Sequence, residues 1–242
     1  MTVPVSILLY ALQNKVVSQV KLYLFLKYAT SGHFHFSKEN VKIITDSLSW
    51  KSTKTFGVNL AWLIQHKWVT VNNPRHSLRI IGYDQILRML RKNPRSAAEM
   101  QPEDFNYFRP FAYAVAITWA MGYKWGIERK SVQTKGSTRK SFRPPIVYNM
   151  PLRYLAIILR VDYTTISKYK SRAKEAGYLY VNKNYKVLSL TPADAANLTA
   201  VTKDVPYHLV THRGVVYQQL PDLIESTIRI RRFRHRPHTH PP

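Results

Sequence analysis

A run of hydroxyl and cationic side chains at residues 163–176, YTTISKYKSRAKEA, has the chemistry needed to bind a nucleic acid. Hydroxyl groups can hydrogen-bond to the edges of several bases, and a lysine ammonium favours the acceptor atoms of guanine. Other lysines and arginines are better suited to phosphate oxygens, which carry no sequence information. The predicted base-contacting residues are Thr164, Thr165, Ser167 and Lys168. The predicted phosphate-contacting residues are Arg153, Lys170, Arg172, Lys174, Lys183 and Lys186.

The apolar residues around this run predict the elements that position it. The predicted elements are a short helix, a turn, a second helix and a β-hairpin, at residues 151–159, 161–163, 164–176 and 178–190. Four residues of the second helix recur at helical spacing and are expected to face inward: Ile166, Tyr169, Ala173 and Ala176. The hairpin is expected to turn at Asn182-Lys183-Asn184 and to form a basic wing over residues 182–186. An earlier helix, at residues 105–126, is expected to complete this unit.

Two residues have the spacing of a helix-turn-helix motif. Ala156 is small enough for a second helix to pack across the first, and Ile166 seals the contact early in the second helix. The segment TTISKYKSRAKEAGYL then resembles the recognition helix of bacterial and phage DNA-binding proteins. This resemblance implies that the helix at residues 164–176 enters the major groove of duplex DNA.

The sequence departs from that family pattern at two positions. Arg160 stands in the turn where the family usually has glycine, and a left-handed backbone is unfavourable for arginine. Ala173 stands where a larger leucine is usual, which implies a shallower core under the helix. Tyr169 or Tyr178 is expected to fill that space.

The N-terminal half repeats this order with almost no shared residues. Helical spacing predicts three helices at residues 16–28, 38–48 and 53–67, and a β-hairpin follows, with its turn at NPRHS. The expected secondary DNA contacts are Ser52, Thr53, Lys54, Arg75 and Arg79. Gly57 and Val58 replace polar residues on the outer face of the third helix. The unit therefore either contacts DNA or packs against a second copy or the neighbouring domain.

The predicted fold is mostly α with small β-hairpins (α+β), with two winged-helix units and a helical, basic C-terminal extension. The predicted segments are a first winged-helix unit, a helical connector, a basic loop, a second helix-turn-helix with its wing, and the extension, at residues 1–93, 94–128, 129–145, 146–190 and 191–242. The extension is expected to contain a helix at about residues 192–200, a last helix from Pro221 and a basic tail. Tandem units of this kind resemble plasmid and phage replication initiators and helix-turn-helix proteins of mobile elements. The resemblance implies sequence-specific duplex binding in replication initiation or transcriptional regulation.

Charge is the feature of the composition that bears most on partners. The 242 residues include 37 Lys and Arg against 13 Asp and Glu, a formal net charge of +24. Such an excess costs self-repulsion and favours a polyanionic partner. The expected partners are double-stranded DNA, a second copy bound through the N-terminal unit, and replication or transcription proteins. No cofactor and no membrane partner is expected, since the apolar N-terminal segment is too short to span a bilayer. The expected location is the bacterial cytoplasm, in association with the nucleoid.

Two alternatives remain open from the sequence. His33-Phe34-His35, with Tyr23 and Lys27, resembles the motifs of nucleases that nick DNA with a tyrosine. The tyrosine lies on a predicted buried face and no third metal ligand is near, so a catalytic or metal site is not expected. His208 and His212 have the spacing of a zinc helix but lack its glutamate. The second alternative is a single-stranded DNA or RNA binder, because many of the 16 tyrosines interleave with basic residues and could stack on bases.

Overall fold

The computed structural model describes residues 1–72, 77–93, 95–133, 147–188, 191–194 and 208–233. Within them the chain has a mixed α+β fold with small antiparallel sheets. The helices are α1 (Val5–Gln13), α2 (Val17–Ala29), α3 (Lys38–Ser47), α4 (Thr53–Gln65), α5 (Tyr83–Met89), α6 (Phe108–Gln133), α7 (Leu152–Leu159) and α8 (Tyr163–Glu175). The strands are β1 (Thr2–Pro4), β2 (His33–His35), β3 (Val69–Asn72), β4 (Ser77–Ile80), β5 (Ser96–Glu99), β6 (Val147–Asn149), β7 (Leu179–Leu188), β8 (His208–His212), β9 (Val215–Ser226) and β10 (Ile230–Arg232).

The same order of elements occurs twice along the chain. In the first repeat, α2 is followed by β2, α3, α4, β3 and β4, and the sheet order is β2-β4-β3. In the second repeat, α6 is followed by β6, α7, α8, β7 and β9, with β8 inserted before β9. The corresponding sheet order is β6-β9-β7, so in both repeats the last strand lies between the other two.

The two repeats also end their helices in the same way. α4 begins at Thr53 and α8 begins at Tyr163, 110 positions later. The turns before these helices contain a left-handed residue, Ser49 in the first repeat and Arg160 in the second. After the helices the left-handed residues are Lys67 and Gly177, again 110 positions apart. Left-handed residues of this kind satisfy the last carbonyl groups of a helix and turn the chain sharply.

Buried side chains from both repeats form one hydrophobic core. The centre of α6 is enclosed on all sides, since residues 111–117 are all buried. A third sheet, in the order β1-β5-β10, joins strands from the two ends of the described chain to the connector between the repeats. β5 of the connector and β10 near the C-terminal end of the described residues are therefore packed parts of the fold.

The predicted wing at residues 182–186 is wrong. β7 runs without a turn from Leu179 to Leu188, and it pairs with β9 along its length. The predicted last helix from Pro221 is also wrong, because Pro221 lies within β9, and β10 follows. The predicted segment boundary at residue 190 cuts through this sheet.

A β-bulge explains how β9 can contain a proline. Asn182 pairs with Leu223 and Asn184 pairs with Leu220, so two residues of β9, Pro221 and Asp222, lie opposite the single Lys183 of β7. Proline lacks an amide hydrogen and is tolerated in a strand at such a bulge. Bulges also re-aim side chains, and here the re-aimed side chain is that of Asp222.

Other predictions are confirmed or fall outside the described residues. The N-terminal hairpin is confirmed, since β3 and β4 pair antiparallel. The helix predicted at residues 105–126 is present as α6, which also takes in the first residues of the predicted basic loop. The rest of that loop, most of the helix predicted at about residues 192–200 and the tail after Phe233 lie outside the described residues.

Candidate nucleic-acid interface

α8 exposes one polar face and buries one apolar edge. Ile166 and Ala173 are fully buried, as their spacing predicts. Four of the predicted contact residues on α8 are exposed: Ser167, Lys168, Arg172 and Lys174. Thr164 is exposed at the start of the helix, and Thr165 is half-buried. The base-contacting residues predicted from the sequence therefore lie together at the N-terminal end of α8.

Tyr169 and Tyr178 both contact aromatic side chains of α6. The ring of Tyr169 stacks on that of Tyr113 of α6, with ring centres 3.8 Å apart and an interplanar angle of 13°. Tyr178 packs edge-on against Phe111 and donates a 2.7 Å hydrogen bond from its hydroxyl to Asp104. Both tyrosines named from the sequence thus anchor α8 and the start of β7 to the central helix.

Asp162 organises the start of α8. Its carboxylate accepts a hydrogen bond from the backbone N–H of Thr165, which caps the helix. It also accepts from the hydroxyls of Thr164 and Thr165, each at 2.6 Å. The hydroxyl hydrogen bonds, together with the backbone one, hold the pKa of Asp162 well below its usual range. Because both hydroxyl protons are directed at Asp162, the two threonines can present only acceptor lone pairs to a base.

Lys170 does not lie on the exposed face. Its side chain is only 12% exposed, and its ammonium forms an ion pair with Asp222 of β9. Lys183 of β7 forms a second ion pair with the same carboxylate, at 3.3 Å. Burial favours the neutral form of Asp222, but the hydrogen bonds and charges of Lys170 and Lys183 outweigh it and leave the pKa of Asp222 below its ordinary value. The prediction that Lys170 contacts phosphate is therefore corrected, because its ammonium is paired within the fold. The charge of Lys183 is partly neutralised by the same carboxylate.

The remaining predicted phosphate contacts are exposed. Arg153 lies on the outer face of α7, Arg172 and Lys174 lie on α8, and Lys186 lies on β7. None of these four forms an ion pair with another described residue. Arg160, in the turn between α7 and α8, is also exposed and adopts the left-handed conformation (φ 55°) expected of a glycine at this position.

A basic hairpin that the sequence did not identify lies between β8 and β9. These strands pair antiparallel from His208↔Gln219 to His212↔Val215. Arg213 and Gly214 form the two-residue turn, both with positive φ (49° and 75°), as a type I′ turn requires. The sequence signal for this hairpin is the dipeptide Arg213-Gly214 between two apolar-rich segments. Alternation of apolar and polar residues does not by itself identify these segments as strands. With residues 184–188 of β7, this hairpin makes a three-stranded distal ribbon with exposed His212, Arg213 and Lys186.

The first repeat lacks an equivalent polar face. Ser52, Thr53 and Lys54 are exposed at the start of α4, and Arg79 is exposed on β4, while Arg75 lies outside the described residues. The 110-residue offset aligns Gly57 of α4 with Ser167 and Val58 with Lys168. Val58 is 60% exposed, so the position that carries a lysine in α8 carries an apolar side chain in α4.

Tyr23 and the two histidines of the nicking alternative lie in different environments. Tyr23 is fully buried, and its hydroxyl donates a 2.8 Å hydrogen bond to the carbonyl of Ile81. His33 and His35 are exposed on one side of β2, with the buried Phe34 between them. Across the described ranges, no three potential metal-ligating side chains come together. His208 and His212 belong to a strand, so their spacing is not that of a zinc helix.

Comparison of the chain with protein-family models, with curated proteins and with solved structures finds no match in any of the three. Within the described residues, no helix combines the length and apolar character that crossing a bilayer would demand.

Proposed function

We propose that the protein is a non-catalytic, sequence-specific binder of double-stranded DNA, built from two winged-helix units. The observation that carries the proposal is the exposed face of α8, where Ser167, Lys168 and the acceptor oxygens of Thr164 lie together without ion-pair partners among the described residues. A helix presented in this way can enter the major groove with its N-terminal residues at the base edges. The net charge of +24 supplies the sequence-independent attraction.

The sheet topology supports the winged-helix assignment. Each repeat has three helices and a three-strand path in which the last strand lies between the first two. The wing of the second unit is then the distal ribbon, which retains Lys186 but not Lys183 of the wing predicted at residues 182–186. Lys186 and Arg213 contact phosphates from the distal ribbon, and Arg153 and Arg172 contact phosphates beside the helix.

The two repeats have different roles in DNA binding. Because Gly57 and Val58 offer no hydrogen-bonding group where α8 has Ser167 and Lys168, the first unit does not read base edges. It assists by pairing with a second copy or by contacting the backbone through Lys54 and Arg79. One reading unit beside one assisting unit suits replication initiation or transcriptional regulation in a phage or other mobile element.

Selection from a random pool of duplexes tests this proposal. The purified chain is mixed with the pool at roughly physiological salt, where nonspecific binding falls to about 10⁻⁴ to 10⁻⁶ M. A defined motif is expected, with magnesium and manganese present and the recovered strands intact. Direct or inverted repetition of the motif would distinguish initiator from repressor. Recovery of no motif would overturn specific duplex binding, and nicked strands would overturn the non-catalytic assignment.

A second candidate function is single-strand binding, favoured by exposed tyrosines at the start of α8 and on β7. Tyr163, Tyr180 and Tyr185 are each about half exposed, and Tyr185 adjoins Lys186. Such rings can stack on unpaired bases. Competition separates the two functions: an unlabelled single strand of the selected motif displaces the duplex only if the single strand is the preferred ligand.

A further inference from the structure

A cavity of about 680 Å³ lies where α1, α6, the third sheet and the end of β9 meet. No residue of α8 lines it, so it is separate from the proposed DNA interface. Its volume falls within the roughly 300–1,000 Å³ of sites that hold small molecules. Most of the wall is apolar or aromatic: Val5, Leu9, Trp119, Met121, Ile228 and Ile230.

Gly122 keeps part of this cavity open. It lies within α6, where a glycine is less favourable than alanine because it loses more conformational freedom on folding. A Cβ atom at Gly122 would have no heavy atom within 4 Å, so no close approach of the protein requires glycine here. Its φ is not positive, so no turn requires it either. A side chain at this position would project into free space beside α6.

The polar groups of the cavity come mainly from the segment leading into β5. Asn93 and Arg95 are exposed at the cavity, and Ser96 follows them. On the opposite wall the hydroxyls of Thr118 and Ser226 hydrogen-bond to each other at 2.5 Å and need no further partner. The hydroxyl of Ser6 is enclosed without a partner, which is unfavourable for a buried polar group, and rotation of its side chain towards a ligand would relieve this.

We propose that this cavity binds a small amphipathic anion. Its aromatic or aliphatic body lies against Trp119 and Leu9, in the space that Gly122 leaves open. Its carboxylate, sulfonate or phosphate group lies beside Arg95, whose guanidinium is suited to such groups. The site is independent of duplex binding by α8.

Fluorescence titration with 8-anilino-1-naphthalenesulfonate tests the site in the full chain. One saturable site is expected. Gly122→Leu fills the cavity and is expected to weaken binding by about tenfold or more, which corresponds to about 1.4 kcal/mol. Gly126→Leu is the matched control, because Gly126 lies one turn further along α6, also faces open space and does not line the cavity. Both substitutions favour helix formation, so circular dichroism and melting should show both variants folded.

Equal binding by the two leucine variants, or only weak unsaturable binding by the parent chain, would overturn the site.

The preference of the site for an anion is tested with the variant Arg95→Gln and the uncharged dye N-phenyl-1-naphthylamine. The sulfonate is expected to bind about two- to fivefold more weakly, the range of an exposed ion pair, and the neutral dye is expected to bind as before. Arg88→Gln, outside the cavity, is the control. An equal effect on both dyes, or on neither, would overturn the anionic ligand.

Discussion

Lys170 of α8 and Asp222 of β9 form an ion pair between a basic helix of the second repeat and the sheet of the same repeat. Asp222 reaches the helix because it lies in the bulge of β9, and Lys183 approaches the same carboxylate from β7. One carboxylate therefore connects three elements. The pair therefore ties α8 to the sheet.

Asp222→Ala is expected to lower the free energy of unfolding by about 3–5 kcal/mol, because it leaves the nearly buried Lys170 without a counter-charge. Urea denaturation measures the loss. Asp46→Ala is the control, since Asp46 is exposed on α3 and its loss should change stability by no more than about 0.5 kcal/mol. Lys170→Met combined with Asp222→Leu removes both charges and should recover most of the stability. An Asp222→Ala loss as small as that of Asp46→Ala would show that the pair contributes nothing.

The same pair predicts a pH dependence. The pKa of Asp222 is lowered in the folded chain, so its contribution is fully present above the unfolded value of about 3.9. It is lost as the pH falls through the folded value. Stability of the parent chain relative to Asp222→Asn should therefore decline below about pH 4. A difference that stays constant down to pH 2 would contradict a charged Asp222.

Lys168→Ala is expected to flatten base preference at one position of the selected motif. A lysine contact to guanine contributes to the roughly 1–3 kcal/mol by which a good side-chain pairing discriminates against the wrong base. Selection with the variant and titration of single-base substitutions in the motif measure the effect. Lys92→Ala removes a lysine that is also exposed but lies outside α8, and it should leave the motif unchanged. An unaltered motif from Lys168→Ala would remove the groove assignment.

Lys186→Ala combined with Arg213→Ala is expected to weaken binding to every duplex about equally, because the distal ribbon contacts phosphates. Removing two phosphate contacts should reduce the slope of log K against log salt by about 1.8. Titrations on the selected motif and on a scrambled duplex, each at several salt concentrations, measure both quantities. A loss confined to the selected motif would mean that the ribbon reads bases.

Arg160→Gly is expected to stabilise the chain by up to about 1–2 kcal/mol, because a left-handed conformation strains every residue that has a Cβ. Thermal melting measures the gain. Arg160→Ala also removes the charge but keeps the strain, so it should show no comparable gain. If the alanine variant were stabilised as much as the glycine variant, repulsion between charges would be the cause.

Local patterns determined the elements of α8 and its turn. Helical spacing placed Ile166 and Ala173 inside and Lys168 outside, and the family pattern placed the turn at Arg160, where the left-handed residue lies. These features depend on residues within one or two helical turns of each other, which is the range that periodicity reports.

The sheet depended on contacts that no local pattern reports. Asn182-Lys183-Asn184 has the composition of a turn, yet it stays extended because β9 supplies a partner strand along β7. The segment after Pro221 was predicted as a helix, and it is a strand for the same reason, since its partners β6 and β7 come much earlier in the chain.

The sequence by itself therefore determined the charge of the protein, the faces of α8 and the repeated order of helices. Tertiary structure decided which cation of α8 is paired. Helical spacing already places Lys170 beside Ile166 and Ala173, but only the fold brings Asp222, 52 residues further along the chain, to its ammonium, while Arg172 remains exposed. The physical reason is that the burial of a charge depends on which side chains surround it, and those neighbours are brought together only when the strands pair.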